Sequence, residues 1–168
     1  MIVKLFLGTS GSGKTTYIEK NVLKDRILND GMFNGLKISM TNDIILFGHY
    51  NCDRRCKGCD TLSMTAINDI IKSLEELLRK NQFGVSQIIL DGDRVNNKKM
   101  LDFLLPYKEL VEIYWIDTDL ATIYERLPEC NKVFVKTTET KTRNMIMQYY
   151  AKGFKVIKVE TKKKGGLL

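Results

Sequence analysis

Gly8-Thr9-Ser10-Gly11-Ser12-Gly13-Lys14-Thr15 fits the spacing G-x-x-x-x-G-K-[ST], whose chemistry is phosphate binding. Glycines let successive backbone N–H groups turn toward phosphate oxygens. A helix starting behind the loop adds its positive end. On this reading Gly8, Ser10, Gly11, Ser12, Gly13, Lys14, Thr15 and Thr16 line the phosphates of ATP. Lys14 reaches the β- and γ-phosphates, and the Thr15 hydroxyl sits on Mg²⁺. The frame agrees: Val3–Leu7 is a short apolar run with strand character, and Thr15–Leu28 has helical spacing.

A loop that holds phosphates needs an acid nearby, at the end of a later strand. Ile88-Ile89-Leu90-Asp91 supplies one. Asp91 there can hold Mg²⁺, together with Thr15, or orient a nucleophile. Asp93 and Arg94 follow, at the carboxyl end of the strand, where open α/β sheets bind ligands. Phosphoryl transfer also needs cations around the moving group. Arg126, Lys136, Lys141 and Arg143 lie on one stretch, and residues 126–143 read as a basic, lid-like segment able to close over ATP.

These residues must be positioned by a scaffold. The chain has 168 residues, 43% hydrophobic and 28% charged. That suits one globular domain with a real core and excludes a disordered chain. No apolar run approaches the ~20 residues of a membrane span, and Met1–Leu7 is too short for a secretory signal. Leu36–Met40 and Ile44–Phe47 read as strands, and Gly48–Thr61 as a loop. Ser63 or Thr65 is placed to cap a helix through Ile67, Ile70, Leu74 and Leu78. Gln87–Leu90 and Leu110–Ile116 are strands, Lys98–Leu105 and Ala121–Leu127 helices, Lys141–Tyr150 a basic helix and Phe154–Val159 a last strand. Strands alternating with helices predict a three-layer α/β domain over residues 1–168, with a mostly parallel sheet of about five strands. Trp115 reads as core, and Tyr149 and Tyr150 read as a helix–sheet contact rather than as base-stacking surfaces.

Charge is unevenly placed. The chain is +7 overall, but residues 132–168 carry +8 and the rest −1. A basic end that includes Lys162-Lys163-Lys164 suits a polyanionic partner.

His49, Cys52, Cys56 and Cys59 fall in one short loop and offer four ligands for Zn²⁺. The Cys52-x₃-Cys56-x₂-Cys59 spacing also matches radical S-adenosylmethionine enzymes. Against that reading, the first strand is spent on a phosphate loop. The Gly-Gly-Glu segment expected after the next strand is replaced by Asp91-Gly92-Asp93. The third reading is small, partly buried thiols in a substrate loop.

A GTPase would carry an Asn-Lys-x-Asp segment, which Asn97-Lys98-Lys99-Met100 breaks at its last position. Gly48-His49-Tyr50, then Gly58-Cys59-Asp60, then Leu90-Asp91-Gly92 resembles a group of small bacteriophage P-loop kinases. The resemblance spans most of residues 1–160, with Lys57 standing where that group has glycine in its Cys-Gly-Gly-Cys-Asp-like loop. It implies a cytoplasmic P-loop NTPase of the nucleotide-kinase type, in the host cytoplasm if phage-encoded. The group includes enzymes similar to 5-hydroxymethyluracil DNA kinases. The implied reaction is Mg²⁺-dependent transfer of the ATP γ-phosphate to the hydroxymethyl group of 5-hydroxymethyluracil in DNA.

In that scheme Tyr50 and Asp60 face the acceptor, with Asp93, Arg94, Lys136 and Lys141 around it. Lys14, Asp60, Asp91, Arg126 and Arg143 are the catalytic candidates. A primary alcohol needs a carboxylate to take its proton, so Asp60 and Asp91 compete for the role of base, with Asp93 third. The alternatives are a deoxynucleoside monophosphate kinase and a zinc-stabilised nucleic-acid-binding module that uses nucleotide as a switch.

Overall fold

The structure is a computed structural model that describes residues 1–51, 57–80 and 84–161. It is an α/β protein built on one seven-stranded sheet with five α-helices. The strands are β1 (Ile2–Leu7), β2 (Asn29–Phe33), β3 (Leu36–Met40), β4 (Ile44–Phe47), β5 (Gln87–Asp91), β6 (Val111–Asp117) and β7 (Lys155–Glu160). Their order across the sheet is β2-β3-β4-β5-β1-β6-β7. Strands β4, β5, β1, β6 and β7 run parallel, while β2 and β3 extend the β4 edge antiparallel.

The sheet has two strands more than the expected five or so, although six of its seven, all but β2, lie where the sequence places strands. Five of the seven form the parallel set. The sixth, β3, was expected as a strand but joins as an antiparallel neighbour of β4. The seventh, β2, is polar and exposed along Asn29-Asp30-Gly31-Met32 and carries no apolar alternation. Its signal is the turn: Asn34 and Gly35, at φ 49° and 80°, connect β2 to β3. Two successive residues with positive φ make the hairpin turn that Asn-Gly favours.

The central strands are buried on both faces. Val3, Leu5 and Leu7 of β1 pack with Ile88 and Leu90 of β5 and with Ile113 of β6 on one side. Phe6, Ile89, Leu46 and Ile116 face the other. This is why those strands read as continuous apolar runs. The first side is covered by α2 (Ile67–Lys80), α3 (Lys98–Leu104) and α5 (Lys132–Ala151) through Ile70, Leu74, Leu77, Met100, Leu104, Ile146 and Tyr149. Ile18 and Leu23, in a π-helical turn, cover the second.

Two helices differ markedly from their predicted bounds. The helix expected over Thr15–Leu28 is one α-turn, α1 (Lys14–Tyr17), followed by the π-turn Ile18–Leu23. Lys24 and Asp25 then take positive φ and end it. The helix expected over Lys141–Tyr150 is longer, spanning all of α5, because Asn131 caps it by accepting from the Phe134 N–H at 3.1 Å. Residues 132–143 of the segment expected as a lid over 126–143 therefore belong to α5, which carries Lys136, Lys141 and Arg143. Pro106 ends α3 as expected, in a 3₁₀ stretch over Leu105–Leu110. Tyr149 is buried, as a helix–sheet contact requires, edge-on to Phe154 at 5.0 Å. Trp115 is partly buried against the core, with Arg143 and Lys158 over its ring. No helix among the described residues is long and apolar enough to cross a membrane.

Candidate active site

The glycine-rich loop, residues 8–13, connects the carboxyl end of β1 to α1. Gly11 and Gly13 take φ 79° and 97°, a conformation side-chain-bearing residues rarely adopt. The loop is held from outside through its carbonyls. Ser12 O accepts from the Thr118 hydroxyl at 2.9 Å, the Thr161 hydroxyl at 3.2 Å and Arg126 Nη1 at 3.1 Å. Arg126 also donates to Gly11 O at 3.2 Å, and the two threonine hydroxyls lie within hydrogen-bond distance of each other, sharing their two protons between this contact and Ser12 O. Thr118 follows β6 and Thr161 follows β7 directly, so two strand ends pin one carbonyl.

Lys14 folds back over the loop, donating to Gly8 O at 2.6 Å and Thr9 O at 3.1 Å. Burial lowers its pKa, and the charges of Asp91, Asp60 and Asp93 oppose that shift. All three acids therefore act on one ammonium group. Ser12 is buried and Thr9 nearly so, while Ser10 and Thr16 are exposed and Thr15 is intermediate.

Asp91 ends β5, the neighbour of β1 in the sheet. Its side chain is 1% exposed. Desolvation raises its pKa to about 6, against the opposing pull of the Tyr50 hydrogen bond and the Lys14 charge. Tyr50 donates its hydroxyl to Asp91 Oδ1 at 2.5 Å and is itself buried. This corrects the expectation that Tyr50 faces the acceptor: its hydroxyl is committed to Asp91.

Asp60 lies on the 3₁₀ turn Cys59–Thr61. Its Oδ1 accepts from the Asp93 N–H at 2.9 Å and the Arg94 N–H at 3.3 Å. It thus caps the turn Asp93–Val95 that follows β5. Two close approaches make this possible. A Cβ on Gly58 would lie 1.6 Å from Asp91 Oδ1, and one on Gly92 would lie 2.6 Å from the Asp60 carboxyl carbon. Each carboxylate rests against the bare backbone beside the other, which explains glycine at both positions.

The other predicted residues divide. Lys141 pairs with Asp93 at 2.8 Å, and Thr142 accepts from Asn96 Nδ2 at 3.0 Å, so mid-α5 is docked on this site. Arg126 reaches the loop. Arg143 instead pairs with Asp117 at 3.3 Å and with Glu139, and lies over Trp115. Lys136 is solvent-exposed on α5. Arg94 is partly buried, and its Nε makes no hydrogen bond among the described residues. The contributions of Thr118 and Thr161 were not foreseen. Their signal was positional, since each directly follows a strand, but neither motif nor spacing names its partner.

Of the proposed zinc ligands, Cys52 and Cys56 lie outside the described residues. His49 Nδ1 lies 3.3 Å from Asp30 Oδ1, and the buried Cys59 thiol contacts Phe47 O at 3.6 Å. Burial pushes that thiol's pKa well up. Among the described residues no group of three or more His, Cys, Asp or Glu is placed to hold a metal ion. Thr15 and Asp91 offer hard oxygen donors at one edge of the sheet, a donor type that suits Mg²⁺.

No protein-family model matches the chain, and no curated protein matches it. What the site can do is read from its own residues.

Proposed function

We propose that the protein is a Mg²⁺-dependent P-loop kinase. It transfers the γ-phosphoryl group of ATP to a nucleotide-type acceptor, first among them the hydroxymethyl group of 5-hydroxymethyluracil in DNA. One observation carries this reading: the glycine-rich loop and its Lys14 meet Asp91, Asp60 and Asp93 at the carboxyl edge of adjacent parallel strands. That edge is where parallel sheets bind ligands.

The loop N–H groups bind the phosphates, and Lys14 leaves its carbonyl partners to bridge β- and γ-oxygens. Thr15 and Asp91 would hold Mg²⁺, which would supply positive charge to the phosphate oxygens. Asp60 is fixed through one oxygen by two backbone N–H groups. Its second oxygen is the base for the acceptor hydroxyl. The acceptor oxygen bonds to the γ-phosphorus, the bond to the ADP oxygen breaks, and the proton passes to Asp60. Arg126, already on the loop, meets the charge that develops.

A second acceptor is favoured by one feature. Arg94, whose backbone N–H reaches Asp60 and whose Nε has no hydrogen-bond partner among the described residues, suits a phosphate monoester, as in a deoxynucleoside monophosphate. The test is transfer of label from γ-labelled ATP to DNA containing 5-hydroxymethyluracil, to the same DNA containing thymine, and to free dNMPs. Label on the hydroxymethylated DNA alone supports the first reading; label on a dNMP alone replaces it with the second. No label, with stoichiometric zinc in the purified protein, would favour a switch module. If Asp60 is the base, Asp60→Asn lowers kcat by about 10²–10⁴-fold with ATP affinity little changed.

A further inference from the structure

Two segments carry the site, and each is fixed within itself. On the nucleotide side stand the glycine-rich loop and α1, where the Tyr17 N–H donates to Gly13 O at 2.9 Å. On the acceptor side stands the turn Cys59–Thr61 with Asp60. Gly58 opens that turn by donating its N–H to His49 O at 3.0 Å. Gly58 O then accepts from the Thr61 N–H at 3.0 Å and the Thr61 hydroxyl at 2.7 Å. Cys59 is fully buried beneath it. The turn therefore moves as one piece.

Lys57 crosses from one segment to the other. Its Nζ lies 2.6 Å from Glu19 Oε1. Among the described residues this is the one hydrogen bond between residues 13–23 and residues 57–62. The Lys57 side chain is 23% exposed, against 51% and 72% for the cations of the surface pairs on α2. Glu19 is presented by an unusual piece of backbone. It lies in the π-turn Ile18–Leu23, whose end is closed by the Lys24 N–H on Glu19 O at 3.0 Å. Such turns are rare and recur at functional sites.

The acceptor turn does not need this pair in order to form, since its own hydrogen bonds and the burial of Cys59 hold it. A half-exposed ion pair also adds little to stability. What it adds is a connection. Glu19 is four residues beyond Thr15, about one turn along the same run, and Lys57 is three residues before Asp60.

We infer that Lys57 and Glu19 are positioning residues that tie the acceptor turn to the nucleotide segment, so that nucleotide bound at the loop steadies the turn carrying Asp60. This deepens the proposed function and rests on it for what the two segments bind. Nucleotide orders the loop and α1, the run behind α1 carries Glu19, and Glu19 holds Lys57. Ordering one segment lowers the cost of ordering the segment tied to it.

The test is hydrogen exchange of the full chain, read by mass spectrometry, with and without ADP and Mg²⁺. Calorimetry first measures MgADP binding. In the wild type MgADP should slow exchange of the hydrogen-bonded amides of Gly58, Thr61 and Leu62, by about 2- to 5-fold. Lys57→Met and Glu19→Ala should bind MgADP as the wild type does and lose that slowing. Lys57→Arg keeps the charge and should retain it. A merely structural pair would change exchange equally with and without nucleotide. In steady state Lys57→Met should lower kcat by about 2- to 5-fold, with KM for ATP little changed. Circular dichroism melts check that each variant folds. Slowing that persists in Lys57→Met, slowing lost in a folded Lys57→Arg, or no slowing in a wild type that binds MgADP overturns the inference. So does an unchanged kcat in Lys57→Met. A wild type that does not bind MgADP overturns the proposed function and the inference with it. Slowing that depends on Lys57, without transfer to any acceptor, would overturn only the proposed function.

Discussion

Asp91 is the residue at which the site's chemistry and the fold's stability oppose each other. Its carboxyl is buried, and desolvation lifts its pKa from 3.8 to about 6 despite the Tyr50 hydroxyl and the Lys14 ammonium. The folded state therefore holds a proton that the unfolded chain releases between about pH 4 and pH 6. Stability falls as pH rises through that window, and the full cost, about 3 kcal/mol for a shift of about two units, is present above it. An amide at this position accepts the same Tyr50 hydrogen bond without ionising. Asp91→Asn should then gain stability over the wild type as pH is raised from 4 to 7, by up to about 3 kcal/mol, while losing phosphoryl transfer. Urea unfolding of both proteins across that range, without nucleotide or Mg²⁺, checks this. A wild-type–variant difference independent of pH would show that Asp91 does not titrate in the window. The same residue marks what sequence could and could not give. That an acid ends β5 is legible from Ile88-Ile89-Leu90-Asp91; that Tyr50 spends its hydroxyl on it is a contact across 41 positions, and no local pattern encodes it.

Elements were legible where an apolar period or a turn residue dictated them. The parallel strands read as apolar runs because both their faces are covered. Helix α3 reads from Asn97 and Pro106, which cap it and stop it. Strand β2 has neither property, being exposed and polar, and only its Asn34-Gly35 turn betrays it. The length of α5 was hidden because its first half overhangs the sheet and buries little beyond Val135 and Thr138. The loop itself was plain from its glycines, whereas its anchorage depends on tertiary contacts. Thr118 and Thr161 form a triangle with Ser12 O, in which their two hydroxyl protons are shared between that carbonyl and each other. Each hydroxyl should contribute about 1 kcal/mol, and each single change also breaks the bond they share. Thr118→Val and Thr161→Val should therefore cost more as a sum of singles than as a double variant, with a raised KM for ATP in all three. Denaturant unfolding and steady-state kinetics measure both quantities; strict additivity would mean the two strand ends hold the loop independently.

At the scale of the whole molecule, the acids and cations of the site meet on one edge of a sheet whose central strands are apolar. Asp91 and Lys14 are both drawn toward their neutral forms by burial, so the folded protein holds charge that the core disfavours. A ligand that brings phosphates to Lys14 and Mg²⁺ to the carboxylates relieves both. Binding that occurs only in the folded state must raise stability by mass action, about 2.7 kcal/mol at a hundredfold excess over Kd. For a domain of this length that corresponds to roughly 5–10 °C in melting temperature. MgATP should produce a shift of that size in the wild type and next to none in Lys14→Ala, whose own melting temperature should stay near or above the wild type's because a desolvated ammonium has been removed. The two readouts separate the loop's roles. A lost shift with an intact fold places the phosphates on Lys14. A full shift in Lys14→Ala would mean that nucleotide is held elsewhere, and the catalytic roles given to Asp60, Asp91 and Arg126 would go with it.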